Sequence, residues 1–167
     1  MRFAVDHMVI RLGKYLRIAG YDAIWDAGVR THDLILRANA EQRVFVTRNR
    51  QIAFQYPAPA QQVTLATSDP VAQFEQVVTG LGLDPQPALF SRCIRCNVAL
   101  ETILDRESVR ARVHPNVFER HQPFYRCPAC ATVFWHGSHV TNTCRKLHLA
   151  PPSAEPQDDL HQEFGLP

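Results

Sequence analysis

Two C-x₂-C pairs, Cys93-Ile-Arg-Cys96 and Cys127-Pro-Ala-Cys130, constrain this chain more than any other feature, because the chain must fold back across 30 intervening residues to bring them together. Each pair can grip one edge of a tetrahedral Zn²⁺, and four thiolates complete a closed structural site. Disulfides are disfavoured in a cytosolic chain, and a thioredoxin-like redox pair would need only one C-x-x-C. The expectation is a zinc-ribbon module over residues 90–148, with Cys93, Cys96, Cys127 and Cys130 as structural zinc ligands. The fifth cysteine, Cys144, has no mate in the pattern and reads as an ordinary thiol.

Between the pairs, Asp105 to Val113 reads as a helical insertion closed by His114-Pro115. Phe124-Tyr-Arg126 enters the second knuckle and Thr132-Val-Phe-Trp135 leaves it as a strand, so aromatic rings alternate with arginines. That composition suits nucleic acid, with bases stacked on rings and guanidinium on phosphate; it equally suits the small core a zinc module needs. Trp135-His-Gly-Ser-His139 brings two imidazoles into a tight turn, where they touch phosphate, move a proton or satisfy the turn. Charge supports the nucleic-acid reading. Residues 90–148 carry 9 Arg/Lys against 4 Asp/Glu, whereas residues 1–89 carry 9 against 8, and 16 of the 18 basic residues are Arg, the side chain suited to bidentate phosphate contacts.

The first 85 residues alternate strand and helix. Phe3-Ala4-Val5 is a short apolar run that stops on Asp6. Met8, Leu12, Tyr15, Leu16 and Ala19 then recur at helical spacing, with Arg11, Lys14 and Arg17 on the opposite face and Gly20 at C′. Asp22-Ala-Ile-Trp25 reads as a second strand, with Asp22 and Asp26 as turn residues, and Thr31 as N-cap of a helix to about Gln42 that buries Leu34, Ile35 and Ala38. Arg43 to Thr47 is a third strand leading into Arg48-Asn49-Arg50 and a short helix. Val63 to Thr67 is a fourth, before Ser68-Asp69-Pro70, a capped start with Pro at N1, and a helix facing inward with Phe74, Val77, Val78 and Leu81. Such alternation predicts a parallel α/β sheet.

In a parallel sheet, the polar groups after each strand share one edge. Asp6, Asp33, Asn49 and Asp69 would gather there, and clustered carboxylates persist ionised mainly by holding a hard cation, Mg²⁺ or Mn²⁺, that activates water against a phosphodiester. Arg11, Lys14, Arg17, Arg48, Arg126, His136 and His139 are the candidate RNA contacts. Several of these also have a structural reading. Asp69 is accounted for as an N-cap, Asp33 by the helix dipole, and Arg11, Lys14 and Arg17 as a solvated face. Asp6 is least easily explained that way, since strand propensity does not favour an acid. No apolar run is long enough for a membrane span and the N-terminus lacks a signal-peptide core, which gives a cytoplasmic expectation. Residues 149–167, with 4 acids and no Arg or Lys, read as a disordered acidic tail.

The run Val5-Asp6-His-Met8, Leu12-Gly-Lys14 and Leu16-Arg17-Ile-Ala-Gly20-Tyr21-Asp22, then Val46-Thr47-Arg48, Ser91-Arg-Cys93, Phe124-Tyr125-Arg126-Cys127 and Trp135-x-Gly137-Ser138-His139, resembles the Mut-seven-C-type RNase domain over residues 1–148. The resemblance implies a PIN-like α/β/α nuclease domain (1–85) fused to a zinc ribbon (90–148) and metal-dependent RNA cleavage. It matches Asp6, Asp33 and Asp69 to the family's acidic pocket and the four ribbon cysteines to its metal ligands. One departure stands out: the family pattern Thr-Arg-Asp reads Thr47-Arg48-Asn49 here, and Asn supplies a carbonyl but no charge. Three readings follow: a Mg²⁺- or Mn²⁺-dependent endoribonuclease, a catalytically weakened RNA-binding or ribosome-associated adaptor, and a toxin-like tRNase needing an antitoxin partner.

Overall fold

The computed structural model describes residues 1–26 and 28–152. Strands β1 (Arg2–Val5), β2 (Asp22–Ile24), β3 (Val44–Thr47) and β4 (Gln62–Thr64) form a parallel sheet in the order β2-β1-β3-β4. Side chains alternate across it. Phe3, Val5, Val44 and Val46 face a core closed by α1 (Ile10–Ile18) and α4 (Pro70–Gly80). Ala4 and Phe45 face the other way, against α2 (Thr31–Ala40) and α3 (Ile52–Gln55), where Leu34, Ile35, Ala38 and Ile52 are buried. The period of two along each strand thus builds the expected helix-sheet-helix sandwich.

Most expected inward faces hold: Leu12, Tyr15, Leu16 and Ala19 are buried on α1. Met8 is a correction, being 50% exposed, because the chain makes a 3₁₀ turn over His7–Val9 before the α-helix begins and Val9 takes the inward position. Arg17 is a second correction. It leaves the exposed face carrying Arg11 and Lys14 and is only 6% exposed. Gly13 explains why, since a Cβ there would meet the Trp25 ring at 2.8 Å; its bare backbone admits Trp25, and the Arg17 guanidinium lies 3.6 Å from that ring's centroid. Thr31 opens α2 rather than capping it, the cap being Arg30 without a side-chain bond. Asp69 caps α4 as expected, accepting from Ala72 N–H at 2.8 Å.

The second half holds an antiparallel sheet, β5 (Glu101–Thr102), β6 (Phe124–Arg126) and β7 (Val133–Trp135), around Val109, Phe118 and Phe124. The expected insertion is a 3₁₀ segment, Arg106–Arg112, capped by Asp105, followed by α5 (Pro115–Arg120). After the ribbon, α6 (Ser138–Lys146) returns to the first half. Leu147 is buried in the α1/α4 core, and Val140 and Cys144 pack with Leu89 and Ile18. Of the expected tail, Leu149 packs against both clusters and Ala150 O accepts from Gln86 Nε2; residues 153–167 lie outside the described residues. No helix among the described residues is long and apolar enough to cross a membrane.

A polar seam joins the halves. Arg17 donates from Nε to Ala23 O (2.7 Å) and from Nη1 to Ile94 O (2.8 Å) and Arg95 O (2.9 Å), the last two inside the first C-x₂-C loop. Asn97 Nδ2 donates to Asp22 Oδ1 at 2.6 Å and its Oδ1 accepts from Ala23 N–H at 3.1 Å. Gly20, at φ +83°, lets the linker cross: a Cβ there would stand 2.3 Å from Ala88 O. Asp22 opens β2, as the expected strand has it, and its carboxylate, read from sequence as a turn group, instead takes a two-pronged contact from Arg43 at 2.8 and 3.1 Å.

Burial works against charge on Asp22, yet the hydrogen bonds from Arg43 and Asn97 outweigh it and hold the carboxyl below its ordinary range. A depressed folded-state value means this stabilisation is complete above the unfolded carboxylate pKa and is lost as pH falls through the folded one. Thermal melts should therefore steepen in their pH dependence below about pH 4. Asp22→Asn should be less stable at neutral pH and lose part of that slope; parallel curves for the two proteins would assign the acid sensitivity elsewhere.

Candidate functional site

The sheet order reverses between β1 and β3, and ligands of open α/β sheets bind outside the carboxyl ends of strands at such a switch point. Asp6 follows β1 there. Its N–H donates to Val46 O at 2.9 Å, which ties it to β3, and its side chain is 2% exposed as a residue. Thr47 Oγ1 donates to Asp6 Oδ2 at 2.5 Å. Oδ1 is buried with no hydrogen-bond partner among the described residues; His7 Nδ1 lies 2.7 Å from it, an ion pair when that imidazole carries a proton. A buried carboxylate oxygen left without a donor costs folding energy unless something else meets it. A carboxylate oxygen with no hydrogen bond of its own is a ligand that a hard cation takes.

The other candidates at this edge are engaged. Asn49 N–H donates to Thr47 Oγ1 (3.0 Å), its Oδ1 accepts from Gln51 N–H (2.9 Å) and its Nδ2 donates to Gln55 Oε1 (3.0 Å), so the amide organises the turn into α3. Asp33 is exposed in the first turn of α2; its contact with His32 Nδ1 at 3.0 Å, with Arg30 nearby, holds it below the ordinary carboxylate range. Asp69 caps α4 beyond edge strand β4, two strands from β1. Among the described residues, Asp6, Asp33 and Asp69 do not form a group whose ligand atoms lie mutually close enough for one ion. An open cleft of about 590 Å³ at this edge is lined by His7, Arg30, Thr31, His32, Gln55 and Tyr56. His7 links it to Asp6, and Gln55 links it to Asn49. Sequence reasoning missed Thr47 and His7 as partners of Asp6, although both stand in the motif runs quoted above.

Cys93, Cys96, Cys127 and Cys130 do converge, with sulfurs all within 4.8 Å of one another. A tetrahedral zinc with Zn–S bonds near 2.3 Å requires S···S of about 3.8 Å. Cys93 and Cys130 stand 3.9 Å apart. The two knuckles share one backbone design. In each, the N–H of the second cysteine points at the first sulfur (3.4 and 3.5 Å), and the following residue, Asn97 or Ala131, is left-handed (φ 62° and 56°) with its N–H on the first cysteine's carbonyl at 2.9 Å. Crowding with the neighbouring thiols pushes Cys96 up to about 12, while hydrogen bonds with Thr132 bring Cys130 down to about 6. A bound divalent cation removes that conflict, because all four sulfurs then ligate as thiolates. The set fits zinc.

Of the expected RNA contacts, Arg11 and Lys14 are exposed on α1 and Arg48 is half-buried beyond β3. Arg126 is exposed and paired with Glu101 at 3.2 Å. His136 is half-buried, its ring centroid 5.2 Å from that of Tyr125 and 6.0 Å from that of Phe90; burial, with His139 nearby, keeps its pKa below the ordinary imidazole value. His139 is exposed with its edge on Trp135 at 5.8 Å. Arg17 is removed from this set by its burial.

These features define a class: a parallel α/β sheet with a buried acid at its switch point, joined by a polar seam to a module whose four clustered cysteines could hold a metal ion. The family is more specific. The family model described as the Mut7-C RNAse domain matches residues 1–147, and the chain belongs to that family. No curated protein and no solved structure matches the chain.

Proposed function

We propose that this chain is a cytoplasmic, divalent-cation-dependent endoribonuclease, with a PIN-like nuclease module over residues 1–85 centred on Asp6 and a zinc ribbon over 90–148 that helps dock RNA. The observation that carries this reading is the buried Asp6 carboxylate at the switch point of the sheet, whose Oδ1 accepts no hydrogen bond among the described residues and has His7 Nδ1 as its close neighbour at 2.7 Å, in a member of an RNase-domain family. Mg²⁺ or Mn²⁺ bound there would polarise a phosphodiester and lower the pKa of an attacking water. Asp6 would hold the ion through Oδ1, while the Thr47 hydroxyl pins the other oxygen so that Oδ1 keeps one direction. Asn49, just beyond the neighbouring strand, is a second oxygen donor without charge. Exposed Arg11 and Lys14, with Arg48, supply cations for the RNA backbone.

A second reading, an RNA-binding adaptor on a degenerate pocket, draws on the engagement of Asn49, Asp33 and Asp69 in local bonds. Cation affinity rises with the number of charged ligands. Wild type is therefore expected to cleave single-stranded RNA slowly in Mn²⁺, Asp6→Asn to lose cleavage while keeping RNA affinity, and Asn49→Asp to gain about tenfold in rate. Equal rates for wild type and Asn49→Asp would reject the site assignment. Absence of cleavage in all three proteins, with RNA binding intact, would establish the adaptor.

A further inference from the structure

We propose that the cavity between the ribbon and α1 is a subsite for a single unpaired RNA base, an inference that rests on the ribonuclease reading above. The cavity measures about 100 Å³ and is walled by Ile18, Phe90, Tyr125, Trp135, His136 and Val140. Pockets for drug-sized ligands run to roughly 300–1,000 Å³, so this one suits one planar ring system. It lies where two packed units meet, a common position for ligand sites.

Three observations mark it as more than a packing gap. Ile18, Phe90 and Val140 belong to one hydrophobic cluster and Trp135 packs against the ribbon core of Val109, Phe118 and Phe124, yet Phe90, Tyr125, Phe134 and His136 stay half-buried around the space between them. Phe90 holds a left-handed backbone (φ 58°), a rare conformation for a bulky residue, fixed by its N–H on Ile18 O at 2.6 Å. Such strain concentrates where a side chain must be presented. No carboxylate lines the cavity, and Arg92 stands at its wall with its guanidinium donating to Gly20 O and Asn97 O.

The chemistry of these walls matches an unstacked base. Single-stranded RNA is held by laying bases on aromatic faces while basic residues follow the phosphates, and the ring nitrogens of His136 and His139 offer polar contacts to a base edge. The surrounding module carries nine basic residues against four acids, which suits the attached backbone.

The test uses 2-aminopurine ribonucleotide, which loses fluorescence on stacking, titrated into the zinc-loaded full chain without added Mg²⁺ or Mn²⁺. Wild type and Tyr125→Phe should quench it alike, and Tyr125→Leu should bind about tenfold more weakly, the size of one lost base–aromatic stack. Ribose 5-phosphate, which lacks the base, should not compete. Zinc content and melting temperature check that each variant is folded; if Tyr125→Leu is not, Phe90→Leu makes the same test from the linker. No quenching, equal quenching in all variants, or full competition by ribose 5-phosphate overturns the subsite. The two readings fail separately: quenching without RNA cleavage keeps the subsite and rejects the nuclease, and cleavage without quenching does the reverse.

Discussion

Cys127→Ser is expected to empty the metal centre: purified wild type should retain one zinc per chain through extensive dialysis, and the variant none. Apparent zinc-binding energies for four-ligand structural sites are about 10–16 kcal/mol, as large as the whole stability of a typical domain. The ribbon has little else to stand on, since the buried members of its core are Val109, Phe118 and Phe124 and its strands are two or three residues long. Cys127 is fully buried, so its loss also leaves an oxygen in a site shaped for sulfur. Metal analysis and a melting curve check this together, the melting temperature falling by about 10 °C or more. Cys96→Ser, at a half-buried position, should lose zinc with a smaller drop. A Cys127→Ser protein holding a full equivalent of zinc would remove these four sulfurs as the ligand set.

Arg17→Ala should be nearly as damaging. The guanidinium satisfies the buried carbonyl of Ala23 and the part-buried carbonyls of Ile94 and Arg95 and stacks on Trp25, so one truncation strands one buried acceptor, leaves two others to partial solvation and exposes a ring. Each unsatisfied buried acceptor costs about 1–3 kcal/mol. A loss of about 3–5 kcal/mol is expected, read as a melting temperature lower by about 10 °C. Arg17→Lys keeps the charge but cannot reproduce the planar fork, and should recover only part of it. Unchanged melting with weakened RNA binding in Arg17→Ala would instead return this residue to the RNA surface.

The contrast between Arg17 and Arg11 shows what a sequence can reveal. Strand-helix alternation, the inward faces of α2 and α4, the cap at Asp69 and the cysteine knuckles depend on short-range pattern, and they were legible. Arg17 lies at the same helical spacing as Arg11 and Lys14; what buries it is Trp25, just past β2, resting on Gly13. Asp22 read as a turn residue because its partners, Arg43 and Asn97, lie 21 and 75 residues away. At the candidate site, the position of Asp6 followed from its strand. The gathering of acids did not follow, since helix capping and local ion pairs at Asp69 and Asp33 compete for the same side chains. Asn97 and Ala131 give no shared residue type to mark the left-handed step that both knuckles make.

Leu147 has a consequence for how the molecule is made. It fills the core between α1 and α4, yet among the residues of that cluster only Leu149 is synthesised later. The first 85 residues alone lack the side chains that cover this part of their main hydrophobic face, which come some sixty residues later, after both knuckles. The first half therefore completes its packing with a side chain that the sequence places beyond all four cysteines.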